Sequence, residues 1–159
     1  MEGYFEQIFT SSNPSGFDNI LSGILSITGV DSIEQLDGDF QVSEVKEALD
    51  QIAPLTAPGS DGMSLIFYKS FWHIVGEDVI DVVLRALNSG IVPKSINTTF
   101  ITLIPKIKNP KIVSNFRPIS LCNVIYKLIA KVVANRLKMF LANSVPDSQS
   151  AFLFGLINL

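Results

Sequence analysis

Several residue types that build catalytic and metal sites are scarce in this chain of 159 residues. A single cysteine, Cys122, excludes an internal disulfide and a cysteine-based zinc site. A single histidine, His73, leaves no histidine pair for a metal ion and no credible Ser-His-Asp arrangement. Uncharged runs reach only about a dozen residues, whereas a membrane-spanning helix needs about 20, so no transmembrane helix is expected.

Acidic residues are almost absent from the second part of the chain. Residues 91–159 contain nine bases and one acid, Asp147, for a net charge of +8. Residues 1–90 contain 14 acids and three bases, for a net charge of -11. One carboxylate cannot hold two metal ions, so residues 91–159 cannot supply a two-metal catalytic site. The surplus of lysine and arginine there favours contact with a polyanion.

The overall composition predicts a folded intracellular protein. A hydrophobic content of 47% with only 17% charged residues is incompatible with intrinsic disorder. The length is sufficient for one domain with its own core. The N-terminal sequence MEGYFEQIFT lacks the basic segment of a signal peptide, so we expect a cytoplasmic or nuclear protein that is not secreted.

Short apolar segments separated by turns open the chain, at residues 4–9, 17–27 and 42–52. The turn-rich sequence SSNPSG separates the first two. In the third, apolar residues recur at helical spacing, which predicts an amphipathic helix that ends before Pro54. One weaker hypothesis is that residues 1–90 form an acidic helical module for a protein partner.

The loop TAPGSDG, residues 56–62, precedes two further predicted helices. It lacks the Lys-Ser/Thr ending of a P-loop and is therefore a weak phosphate motif. Ser64 can cap the helix that follows, and a longer helix is predicted over residues 77–89. We interpret Phe71 and Trp72 as core residues, because large aromatic residues in a helical run usually pack inside.

A β-hairpin with a basic tip is predicted next. Residues 98–104 are β-branched and apolar, and residues 116–121, FRPISL, are short and extended, so both are predicted strands. Pro118 restricts the second strand to an edge or end position because proline donates no backbone hydrogen bond. The basic turn KIKNPK, residues 106–111, connects the strands. Pro118 also favours an extended backbone at Arg117.

The clearest helix prediction covers residues 123–141, with Asn123 as an available N-cap. Three lysines fall together opposite its apolar stripe: Lys127, Lys131 and Lys138. A solvated face is the simpler interpretation of these lysines. Arg136 instead falls within the apolar stripe. A buried arginine needs a carboxylate, several carbonyls or a phosphate, unless it extends past the helix end toward the last carbonyls.

The hairpin and the helix after it together form a basic surface. Its members are Lys94, Lys106, Lys108, Lys111, Arg117, Lys127, Lys131, Arg136 and Lys138. Cationic density of this kind binds phosphates with little sequence code, so one hypothesis is weak, salt-dependent binding of RNA or an RNA–DNA duplex. The alternative is a catalytically dead globular remnant that self-associates or binds a protein partner through uncovered apolar surface.

Three ordered segments and the opening of the chain resemble one known family. The segments are TAPGSDGMSLIFYKSFWHIVGEDV, INTTFITLIPKIKNPKIVSNFRPISLCNVIYKLIAKVVANRLK and SQSAFLFG, and the opening is YFEQIFTSSNP. They resemble the N-terminal part of the reverse transcriptase of LINE-type, non-LTR retrotransposons, closest to plant elements. That family copies RNA into DNA with two metal ions held by palm aspartates, which lie beyond the SAF-x-x-G stretch.

The resemblance implies an α+β fold and an incomplete polymerase right hand. Residues 1–55 would form an acidic helical extension. Residues 56–159 would form a partial reverse-transcriptase domain, with a fingers-type β-hairpin and a long amphipathic helix, truncated before the palm. The chain alone is therefore expected to be inactive and to bind no cofactor, with Mg²⁺ expected only for a full-length relative. A palm domain supplied elsewhere is a further candidate partner.

The resemblance also assigns individual residues. Lys106 of IPK and Arg117 of FRPIS match the positions that contact the triphosphate of the incoming nucleotide. Gly59 and Asp61 match the family's PGPDG loop, a template-side element. The remaining nucleic-acid-binding candidates come from the basic surface: Lys108, Lys111, Lys127, Lys131, Arg136 and Lys138.

Three positions depart from the family pattern. Thr56 stands where lysine is usual, Ser60 replaces a proline, and Leu156 follows the SAF-x-x-G stretch where the family carries arginine. These departures suggest a degenerate or truncated copy of the element.

Overall fold

The computed structural model describes residues 2–17 and 36–144. The helices are α1 (Glu2–Phe9), α2 (Val42–Gln51), α3 (Leu65–Ser70), α4 (Trp72–Ser89), α5 (Lys94–Asn97) and α6 (Val124–Ser144). The strands are β1 (Thr99–Pro105) and β2 (Phe116–Cys122), with a 3-10 turn at Val113–Asn115 before β2. Nearly all of the apolar segment at residues 17–27, the SQSAFLFG segment and Leu156 lie outside the described residues. The observed mixture of helices and one hairpin is compatible with an α+β fold.

Helix α2 forms where the apolar periodicity predicts it. The backbone N–H of Gln41 donates to Glu44 Oε2 at 2.7 Å, which satisfies one of the free donors at the helix start. Val45, Ala48 and Leu49 are buried at the spacing of one helix face. The helix therefore buries one stripe and exposes its charged residues.

One hydrophobic core joins α2, α3, α4 and α6. Its fully buried side chains include Val45 of α2, Leu65 of α3, Val83 of α4, and Val124 and Leu128 of α6. Helix α2 packs directly against both α4 and α6. Helix α2, in the segment predicted as the N-terminal extension, packs with elements that follow residue 56.

Helix α4 begins earlier than the sequence predicts. It starts at Trp72, and Gly90 ends it in the left-handed conformation, with φ 69°, where glycine is favoured. Trp72 packs against the core as interpreted, and its indole covers Gly76 so closely that an added Cβ would lie 2.9 Å from Cε2. The core interpretation of Phe71 is wrong. This residue joins two helices at their ends and is 45% exposed.

The hairpin pairs β1 and β2 in antiparallel register, from Thr99 opposite Cys122 to Pro105 opposite Phe116. A bond from Lys106 N to Asn115 O, 2.7 Å, closes the turn. Both strands are edges, so Pro118 is tolerated in β2. No residue of either strand is buried. The hairpin therefore projects from the helical body and adds little to the core.

None of the helices within residues 2–17 and 36–144 is long and apolar enough to cross a bilayer.

Candidate nucleic-acid interface

The tip of the hairpin presents exposed cations. Lys106, Lys108 and Lys111 are exposed in the turn after β1, and Arg117 is exposed on β2. Lys106 Nζ donates to Ser114 O at 2.9 Å, which holds its side chain across the turn. Arg117 lies opposite Ile104, two positions from Lys106 along the hairpin. The fold thus brings Lys106 and Arg117 to the same end of one element.

Within residues 2–17 and 36–144, no carboxylate forms an ion pair with the charges at this tip. Residues 82–146 contain neither aspartate nor glutamate. The ion pairs observed in the described part of the chain are Arg85 with Asp81 and Arg136 with Glu44, so neither involves the hairpin. A cation with no ion-pair partner can bind a phosphate without first breaking a salt bridge.

The three lysines of α6 differ from one another in the structure. Lys138 is exposed and Lys131 is half-buried. Lys127 is half-buried, and its Nζ donates to the carbonyl of Ala57 in the loop before α3. The interpretation of these lysines as a solvated face therefore holds for Lys138 but not for Lys127.

Gly59 and Asp61 lie in a loop, residues 57–62, that packs against the start of α6. Gly59 touches Asn123, which is only 6% exposed. Asp61 is exposed, and its Oδ1 accepts the backbone N–H of Met63 at 3.0 Å. Burial raises the pKa of the Tyr68 phenol, and the negative charge of Asp61 raises that pKa further. Because Asp61 is exposed, its carboxylate is available at the surface.

Asn123 stands at the N-cap, as predicted, but its side chain does not cap α6. Its carbonyl accepts the first helical bond from Lys127 N, at 3.1 Å. Its side-chain Oδ1 accepts instead from Ser60 Oγ, at 3.2 Å, and Asp61 N, at 3.4 Å. The side chain therefore serves tertiary contacts between segments.

Arg136 is buried and fully paired within the chain. It is 8% exposed, and its Cζ lies 3.6 Å from the centre of the Phe40 ring. Its Nε and Nη2 donate to the two carboxylate oxygens of Glu44, at 2.6 and 2.9 Å. The carbonyls that accept its three other bonds are those of Leu36, Gly38 and Asp39.

These partners correct the expected role of Arg136. A guanidinium has five N–H donors, and all five are used here. No donor is left for a nucleic-acid phosphate, so Arg136 belongs to the fold and not to the basic surface. The sequence required a carboxylate, several carbonyls or a phosphate as the acceptor for a buried Arg136. In the structure, Arg136 donates to a carboxylate and to several carbonyls.

The Arg136–Glu44 pair perturbs both ionisations. The hydrogen bonds from Arg136 hold the pKa of the Glu44 carboxyl below its usual range, against an opposing effect of burial. The same bonds raise the pKa of Arg136. Both groups therefore stay charged at neutral pH.

Sequence reasoning missed Glu44 and the tertiary role of Asn123. Arg136 within an apolar stripe signals a buried partner, but the carboxylate lies 92 residues away and carries no local mark. The contact of Gly59 with Asn123 joins residues 64 positions apart and likewise carries no local mark. Within residues 2–17 and 36–144, no three His, Cys, Asp or Glu side chains form a group that could hold a metal ion.

Comparison with known proteins adds one relative. The chain is 28% identical over 149 residues to the "Transposon TX1 uncharacterized 149 kDa protein" of Xenopus laevis. This similarity supports a retrotransposon origin. The aligned region covers 92% of the chain but only 11% of that much longer protein. No protein-family model matches the chain.

Proposed function

We propose that this retrotransposon-derived chain is the fingers fragment of an RNA-directed DNA polymerase, a reverse transcriptase of a LINE-type element close to those of plants. Its hairpin binds RNA or an RNA–DNA duplex. The supporting observation is the cluster of four exposed cations at the hairpin tip, Lys106, Lys108, Lys111 and Arg117, in a stretch without carboxylates. The ordered sequence motifs and the transposon relative favour this function over binding of other polyanions.

Lys106 and Arg117 are the proposed contacts to the triphosphate of an incoming nucleotide. They occupy the same end of the hairpin, and an arginine fork binds two phosphate oxygens at once. Lys108 and Lys111, at the exposed turn, are the proposed contacts to the phosphates of the nucleic-acid backbone. Lys138 extends this surface onto α6, and Lys131 lies partly covered beside it.

Fluorescence anisotropy with a labelled single-stranded RNA tests the proposal. The logarithm of the binding constant should fall with the logarithm of salt concentration, with a slope of about -0.7 for each phosphate neutralised. Lys108→Gln, at the exposed turn proposed to contact the nucleic-acid backbone, should weaken binding and reduce that slope by about 0.7. A flat salt response, or no binding at low salt, would discard the proposal.

The matched control is Lys46→Gln. Lys46 is also an exposed lysine, but it lies on α2, outside the basic hairpin. Its removal should leave both affinity and salt slope unchanged. An equal loss for Lys46→Gln and Lys108→Gln would mean that net charge alone, and not the hairpin, determines binding.

We further propose that the chain alone does not polymerise. Residues 91–159 contain one acid, and a two-metal site requires several. Magnesium would act in a full-length relative, where the palm supplies its ligands. Magnesium-dependent primer extension by the purified chain would contradict this part of the proposal.

Self-association is a second candidate property, favoured by the apolar face of the hairpin. Phe100, Ile104 and Ile119 share that face, and all are more than 40% exposed. A second copy is the fitting partner, because its acidic helices complement the basic hairpin in charge. Light scattering over a wide concentration range should show reversible growth in mass, which Phe100→Ser should reduce. A constant monomer mass would remove this candidate.

A further inference from the structure

The loop at residues 57–62 is attached to α6 at two points one helical turn apart. Lys127 Nζ donates to the carbonyl of Ala57 at the start of the loop. Asn123 Oδ1 accepts from Ser60 Oγ and Asp61 N further along it. Residues four apart on a helix lie on the same face, so a single face of α6 holds both ends of the loop.

Asn123 connects this loop to a third segment. Its Nδ2 donates to the carbonyl of Ser95 in α5, at 3.2 Å. Ser60 Oγ also lies 3.4 Å from the carbonyl of Thr98, just before β1. The buried amide thus joins the loop, the approach to the hairpin and the start of α6. Removing a buried amide would leave several polar groups without partners.

Gly59 shows how closely the loop approaches α6. A Cβ at this position would lie 2.2 Å from Asn123 Oδ1, 2.4 Å from Asn123 N and 2.6 Å from Asn123 Cα. Two of these three atoms are backbone, so they cannot move aside as a flexible side chain would. The contact therefore requires glycine and fixes the loop in one position against α6.

We infer that Asn123 and Lys127 are positioning residues for the loop at residues 57–62. They fix the backbone that presents the Asp61 carboxylate, and Lys127 does not act as a phosphate contact. A carboxylate is repelled by phosphates but accepts hydrogen bonds from base amino groups and from the ribose 2′-hydroxyl. The loop therefore presents an acceptor for those groups of a single strand. That ligand assignment rests on the proposed function, whereas the ordering of the loop does not.

Amide hydrogen exchange of the full chain, followed by NMR, tests the ordering directly. The reporters are the backbone amides of Asp61, Gly62 and Met63, all of which donate to acceptors in the loop or to Asn123. Lys127→Met should speed their exchange by about tenfold, the expected consequence of losing one hydrogen bond to a charged group. Unchanged exchange in the folded variant would overturn the inference.

Lys131→Met is the matched control. Lys131 lies one turn further along the same helix, and the same charge is lost. Its variant should leave the exchange of the three amides unchanged. Equal acceleration in the two variants would overturn the inference, because a shared effect would reflect α6 as a whole.

Asn123→Asp separates the two roles of the amide and provides a rescue. It retains acceptors for Ser60 and Asp61 but loses the donor to Ser95, so the three amides should exchange more slowly than in Asn123→Ala. If Asn123→Ala does not fold, Asn123→Asp is compared with the unchanged protein instead. The exchange rates of the three amides in Asn123→Asp should then stay within about threefold of those in the unchanged protein. Faster exchange than this would count against the inference.

RNA binding supplies an independent readout. Lys127→Met should lower affinity while leaving the salt slope unchanged, whereas loss of a phosphate contact reduces the slope by about 0.7. A reduced slope would reassign Lys127 to phosphate binding and overturn its positioning role. If the unchanged protein binds no RNA, the proposed function fails, and the exchange measurements still decide the positioning role.

Discussion

Arg136 and Arg117 carry the same charge and serve opposite purposes. Arg136 is 8% exposed, with five intrachain hydrogen bonds. Arg117 is exposed on a hairpin strand that has no buried residue. The difference follows from the acceptors within reach, which a count of charges does not reveal. The net charge of a segment therefore overstates the number of cations at its surface, because it also counts cations that are paired within the fold.

The largest contrast should appear in stability. Arg136→Ala removes the guanidinium donors of the Glu44 carboxylate and of three carbonyls and leaves that carboxylate without its opposite charge, so we expect a loss of about 3–5 kcal/mol in the free energy of unfolding. Arg117→Ala removes an exposed side chain and should change it by less than about 0.5 kcal/mol. Urea unfolding followed by circular dichroism measures both. Similar losses for the two variants would remove the contrast.

Glu44→Gln tests the same pair from its other side. The guanidinium keeps its carbonyl partners but loses the opposite charge, and Glu44 is partly exposed, so we expect a loss of about 1–3 kcal/mol at neutral pH.

The pH dependence of that loss has a definite sign. The pKa of Glu44 is lowered by folding, chiefly through its hydrogen bonds from Arg136, so its contribution is present above its unfolded pKa and disappears as pH falls through the lower folded value. Unfolding free energies measured against pH should therefore converge for Glu44→Gln and the unchanged protein in acid. A constant difference down to the lowest pH would contradict the assignment.

Gly59 lies in the loop between the core and the hairpin, and Gly59→Ala should have an intermediate effect on stability. The added methyl group overlaps Asn123, so we expect a loss of about 1–3 kcal/mol in the free energy of unfolding. Gly3→Ala is the control, because a Cβ at Gly3 meets nothing within 4 Å. Thermal unfolding of the two variants compares them. No difference between the two would contradict the close approach of the loop to α6.

The smallest effect is expected at the exposed pair of Arg85 and Asp81. Their side chains are 75% and 54% exposed and lie four residues apart on α4. Removing Arg85 should cost about 0.3–0.5 kcal/mol, and added salt should reduce that cost. A loss comparable to that of Arg136→Ala would show that burial does not govern the strength of these pairs.

Local pattern predicted the elements well. The periodicity of α2 and α6, the β-branched run of β1 and the basic turn of the hairpin all depend on neighbouring residues. Phe71 was misplaced because it was interpreted as part of one helical run, whereas it lies at the junction between two helices and is exposed there.

Contacts between distant segments were not predictable in the same way. The position of Arg136 in an apolar stripe required a partner but did not identify Glu44. Asn123 has an N-cap's position, but the partners of its side chain, Ser60 and Asp61, lie about 60 residues earlier in the chain. The residues proposed to meet nucleic acid remain predictions, since exposure alone does not select a ligand.

The sequence separation of Glu44 and Arg136 also affects how the chain folds during synthesis. The two residues are 92 positions apart, so a ribosome adding about 5–20 residues per second makes Glu44 roughly 5–18 s before its partner. During that interval α2, with only ten residues, is too short to be stable alone. Its apolar stripe can meet α4 in that time, but the part that packs against α6 stays uncovered. The core is therefore completed only when α6 emerges and packs against α2 and α4.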